Sequence, residues 1–103
     1  MARTTVKAVC SNPQEANVKI EQILLAHNYK LKEENGETVW KCGVGFWTAM
    51  KYMKIEFHEN NEIEISGWIR AALGTEQDLS GFVGAIPKKQ VMKVIEEIQK
   101  AIV

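Results

Sequence analysis

The sequence predicts a two-layer α+β domain, an antiparallel β-sheet of five to six strands with two helices on one face, in the order β-α-β-β-β-β-(β)-α. Three observations predict it. Two stretches with apolar residues three or four apart flank the middle of the chain and read as amphipathic helices. Between them, apolar and polar residues alternate over several short segments. Finally, Asn35-Gly36 and Glu59-Asn60-Asn61 separate consecutive segments with the turn chemistry of hairpins.

Taken in order, Thr4–Cys10 alternates as a strand, with Val6, Ala8 and Cys10 on one face. Asn12 then caps a helix: its side chain can accept from free N–H groups, and Pro13 lacks only an N–H that the first turn leaves orphaned. Glu15 sits where a capping box wants a carboxylate. Ala16, Ile20, Ile23, Leu24 and His27 form the helix's apolar stripe, and Asn28 suits a left-handed C-terminal cap. His27, on that stripe, is expected to be packed and hydrogen-bonded.

Strands at Tyr29–Glu34 and Glu37–Val44 flank Asn35-Gly36, both of whose residues accept positive φ. A two-residue loop pairs Leu31 with Trp40 and Tyr29 with Cys42 on one face, and Lys32 with Val39 and Lys30 with Lys41 on the other. Pattern and turn agree. Gly43-Val44-Gly45-Phe46-Trp47-Thr48-Ala49-Met50 follows as a glycine-hinged connection, expected to fold back on the sheet or meet a partner.

Tyr52–His58 and Glu62–Arg70 are the next two strands. A two-residue turn at Asn60-Asn61 would set Phe57 against Glu64. A three-residue loop instead pairs Phe57 with Ile63, Ile55 with Ile65 and Tyr52 with Trp68, with Asn61 at positive φ. Gly74–Asp78 reads as a polar loop and Leu79 to Val83 or Gly84 as a short last strand. Pro87 opens the closing helix, whose stripe is Val91, Val94, Ile95, Ile98 and Ile102.

With 103 residues and no interdomain linker, residues 1–103 form one domain with one core. Lys and Arg balance Asp and Glu at 13 each, which gives no electrostatic footprint for nucleic acid. No apolar run approaches the ~20 residues of a membrane span, and Lys7 interrupts the only run a secretory signal could use. A cytoplasmic protein is expected, with no membrane partner. Cys10 and Cys42 lack the close-spaced companions of a metal knuckle, so buried thiols, no metal and no cofactor are expected. The phosphate-loop, dinucleotide, nucleophile-elbow and zinc-protease strings are all missing from the sequence.

Three features remain. Trp47, Tyr52 and Trp68 fall outside the main core and could contact a partner or a second copy in a homodimer. Gly84, Lys88 and Lys89 lie where the closing helix begins. Two lysines there oppose the helix dipole at a cost of ~0.3–1 kcal/mol, and could receive a phosphate or carboxylate. His58 lies among Glu56, Glu62 and Glu64, on a hairpin end where solvation is expected rather than acid–base catalysis.

Ile65-Ser66-Gly67-Trp68-Ile69-Arg70, followed by Leu79-Ser80-Gly81-Phe82-Val83-Gly84-Ala85-Ile86-Pro87-Lys88-Lys89, resembles a group of small uncharacterised bacterial domains. That pattern also has a glycine-rich stretch like Gly43-Val44-Gly45 and an aromatic near Trp40. Where those domains often have Ala-Pro, this chain has Ala49-Met50. The resemblance spans about residues 15–102 and implies a bacterial α+β domain; it carries no known activity or catalytic residue. The sequence therefore points to a non-enzymatic binding or interaction module, with anion binding at the closing helix as the alternative.

Overall fold

The structure, a computed structural model, describes residues 3–43, 50–70, 76–79 and 85–102. Its elements are β1 (Thr4–Val9), α1 (Pro13–Ala26), β2 (Lys30–Glu34), β3 (Glu37–Cys42), β4 (Met50–Phe57), β5 (Glu62–Arg70), β6 (Glu76–Gln77) and α2 (Ala85–Ile102). The sheet is antiparallel in the order β1-β5-β4-β3-β2, with β6 on β5. The α+β order read from the sequence is the one observed.

Local chemistry sets the ends of α1. Asn12 Oδ1 accepts from the N–H groups of Gln14 (2.9 Å) and Glu15 (3.1 Å). At the other end Asn28 is left-handed, at φ 67°. Its N–H reaches Leu25 O at 3.0 Å, while Tyr29 N–H reaches Leu24 O at 2.9 Å. This paired closure satisfies carbonyls the helix would otherwise strand. Asn35 and Gly36 both take positive φ, and the hairpin pairs Leu31 with Trp40 and Lys30 with Lys41. The second hairpin closes with His58 N–H on Glu62 O at 2.8 Å, leaving the three-residue loop; Asn60 joins Asn61 at positive φ. Its register sets Phe57 against Ile63 and Tyr52 against Trp68.

The last strand differs from expectation. Pairing with β5 occurs at Glu76–Gln77, inside the segment read as a polar loop, and Leu79 lies outside any strand. The remainder of that segment, residues 80–84, lies outside the described residues. Since β4 occupies one edge of β5, β6 extends the other edge beyond β1, and Leu79 N–H bonds Thr4 Oγ1 at 2.9 Å. Backbone hydrogen-bonding demand along β5 thus overrides the polar composition of 76–77. The closing helix starts at Ala85, two residues before Pro87, which its first turn tolerates.

Both helices shelter one face of the sheet. Ile20 and Leu24 of α1 and Val91, Ile95 and Ile98 of α2 join Met53, Ile63, Ile65 and Ile69 in one buried cluster. At Gly67 a Cβ would stand 2.9 Å from both Ile95 Cδ1 and Val91 Cγ1. Glycine therefore lets α2 seat directly on β5. Leu31, paired with Trp40 on this side but on the edge strand, remains 55% exposed.

Candidate functional site

The opposite face holds Tyr52 and Trp68 in a single cross-strand row. Tyr52 and Trp68 are register partners, and their rings stack with centroids 5.4 Å apart and planes 3° from parallel. On the β1 side the Arg3 guanidinium lies 3.7 Å from the Trp68 ring centroid; on the β3 side Lys41 Nζ lies 5.6 Å from that of Tyr52. Two rings thus stand between two cations, an arrangement their negative π-faces favour. Carboxylates from the hairpin β2–β3 hold the cations. Glu37 accepts both ends of Arg3 (2.9 and 2.7 Å) and Lys54 (3.1 Å), while Glu34 accepts Lys41 (2.9 Å) and the Tyr52 hydroxyl (3.1 Å).

These contacts set the charges of the row. The Arg3 hydrogen bonds, reinforced by Lys54, hold the Glu37 carboxyl down to about 2 against the pull of burial. Lys41 likewise lowers Glu34, and Glu34 in turn raises Lys41. Burial, then the Glu34 hydrogen bond, raises the Tyr52 phenol.

The row is consequently closed. Tyr52 and Trp68 are each 2% exposed and pack with Val39 and Met50 as a second small core. Both lie outside the main core, as the sequence predicts, and of the two arrangements it allows, burial within the chain or a partner surface, these two rings show the first. Trp47 lies outside the described residues. The space bounded by Arg3, Glu34, Glu37, Tyr52, Trp68 and Arg70 is about 10 Å³, one water at most.

At the start of α2 the two lysines differ in exposure. Lys88 is 5% exposed and already engaged within the chain, whereas Lys89 is exposed. Gly84 lies outside the described residues. Lys88 is thus a packed side chain rather than half of a solvated lysine pair.

One turn further along α2 is a cleft of about 210 Å³, lined by His27, Tyr29, Lys51, Gln90, Lys93 and Val94. Three elements build it: the α1–β2 junction, the start of β4 and the first half of α2. Tyr29 is 2% exposed, and its hydroxyl is buried without a hydrogen-bond partner among the described residues. Burial, and secondarily Cys42 alongside, pushes its phenol far above the usual tyrosine range, so the group stays a donor. Among the described residues Lys51 Nζ donates only to the neutral Gln90 Oε1, at 3.1 Å. Lys93 forms no ion pair among the described residues. His27 is not packed in the core as expected: at the helix end it is 43% exposed, with Nε2 3.1 Å from Glu97 Oε1. None of Tyr29, Lys51 and Lys93 stood out as a site residue in the sequence. The one local signal was Tyr29, an aromatic directly after a helix cap with Cys42 opposite it.

At the far end of the second face, Glu56 pairs with Glu64, and His58 Nε2 lies 3.4 Å from Glu64 Oε1. The ligand-type atoms of Glu56, His58 and Glu64 lie within 4.8 Å of one another, beside a broad open depression that also exposes Val9 and Phe57. Both cysteines are buried free thiols; Cys10 Sγ is 3.4 Å from Asn61 O, and Cys42 Sγ is 3.6 Å from His27 O. Among the described residues, no helix is long and apolar enough to cross a membrane. No family profile, curated protein or solved structure matches the chain.

Proposed function

We propose that this chain is a non-enzymatic binding module whose ligand occupies the cleft between the α1–β2 junction, the start of β4 and α2. The unpartnered Tyr29 hydroxyl carries the reading. A buried donor without an acceptor costs ~1–3 kcal/mol, a cost that a bound acceptor relieves. The surroundings support binding over catalysis. His27 is bound to the Glu97 carboxylate, and the described lining holds no serine, threonine or cysteine for it to activate. This reading places binding chemistry on Lys51, Lys93 and Tyr29 rather than on Gly84, Lys88 and Lys89, the anion site expected from the sequence.

A homodimer or protein partner docking on Trp47, Tyr52 and Trp68 has less support, since the second and third of these are covered by Arg3 and Lys41. A backbone-amide NMR screen against small polar organic compounds tests the choice. Hits are expected to perturb His27, Tyr29, Lys51, Gln90, Lys93 and Val94. Perturbations centred on Tyr52 and Trp68, or concentration-dependent dimers in light scattering, would replace the cleft with the aromatic row.

A further inference from the structure

We infer that the ligand of this cleft is an organic carboxylate with a short apolar body, held by Lys51, Lys93 and the Tyr29 hydroxyl. The inference rests on the cleft being the ligand site. Its first support is a contrast in charge pairing. On the second sheet face, Arg3, Lys41 and Lys54 each meet a glutamate. In the cleft, among the described residues, Lys51 meets only an amide oxygen and Lys93 has no ion pair. An anion entering here gains two cations without displacing a carboxylate from either.

The second support is the donor set. A carboxylate oxygen that accepts from Tyr29 would pair the one buried phenol the fold leaves unsatisfied, while ammonium groups take the remaining lone pairs. Gln90, released by Lys51, can turn its amide N–H toward the same anion. The hydroxyl is closed to solvent, so a ligand that reaches it must displace the side chains packed over it. Shape is the third support. About 210 Å³ exceeds the need of an inorganic ion, and the walls include Val94 and the Tyr29 ring, which favour an apolar body behind the charge.

The test titrates isotope-labelled protein with benzoate, its neutral isostere benzamide, and inorganic phosphate, following backbone amides. Benzoate is expected to shift Lys51, Gln90 and Lys93 and to bind at least roughly fivefold more tightly than either other probe. K51M/K93M should abolish the preference for benzoate over benzamide. Y29F should weaken benzoate by roughly 5–10-fold while leaving the free protein as stable as wild type or more so, since it removes an unsatisfied hydroxyl. Benzamide binding as well as benzoate would overturn the carboxylate while leaving the cleft as the site. Tighter phosphate would overturn the apolar body, and unchanged affinity in Y29F the hydroxyl's part. If neither organic probe moves these amides, the carboxylate and the binding-module reading of the cleft fall together.

Discussion

The two faces of the sheet are closed by different physics, and β5 displays both within adjacent residues. Gly67 looks toward the helices, where α2 seats against the strand with Val91 and Ile95. Trp68 looks the other way, stacked on Tyr52 and capped by Arg3. The helical face is sealed by aliphatic area, whose stabilisation follows the surface removed from water. The second face has no helix against it in the described structure. It is sealed by the stems of Arg3, Lys41 and Lys54, whose heads are fixed by Glu34 and Glu37. A small domain can therefore complete a second core without more backbone, provided that enough charge is paired to hold long side chains in place. The consequence is unequal sensitivity: acid and salt should loosen the second face before they touch the first.

The strongest challenge to this contrast is Trp68→Ala, which removes one of the row's two rings and leaves Arg3 over a void. A loss of ~3–5 kcal/mol is expected in denaturant unfolding. A loss below about 1 kcal/mol would show that the aromatic row is no core at all. Gly67→Ala probes the other face at the next residue and should cost ~1–3 kcal/mol through overpacking, because β-branched Val91 and Ile95 are fully buried and have no room to yield. Its cost should be the same at high and low salt.

Glu37→Gln comes next, at about 1–2 kcal/mol near neutral pH once solvent screening is allowed for. The pH dependence has a definite sign. Glu37 is held at about 2 when folded against an ordinary 4.5, so its contribution is complete above about 4.5 and is lost as pH falls toward about 2. Wild-type stability should decline through that window more steeply than that of E37Q; parallel curves would remove Glu37 from the account. Asn12→Ala, which belongs to neither face, should cost only about 0.5–1 kcal/mol and serves as the scale for a purely local loss.

Much of the fold was legible because hairpins and caps are local. Asn35-Gly36 admits a turn that few other pairs can make, and the alternation around Asn60-Asn61 rejects the register that would set Phe57 against Glu64. The two-residue strand at Glu76–Gln77 was not legible, since its composition is that of a loop and only the free edge of β5 recruits it. The proposed cleft was not legible in the same way. The sequence singled out the start of α2 through Gly84, Lys88 and Lys89, and burial of Lys88 depends on packing that the local sequence does not contain. The cations that line the cleft come from β4 and α2, 42 positions apart at Lys51 and Lys93. No spacing rule links them.

By itself the sequence determined the strand and helix order, the two hairpin registers and the caps of α1, because each depends on residues only a few positions apart. Tertiary structure alone decided that β1 lies against β5, that Arg3 reaches Glu37 across the sheet, and that the Tyr29 hydroxyl ends up without an acceptor. Those outcomes depend on which distant groups exclude water from one another, a property of the packed layers that no short window of residues contains.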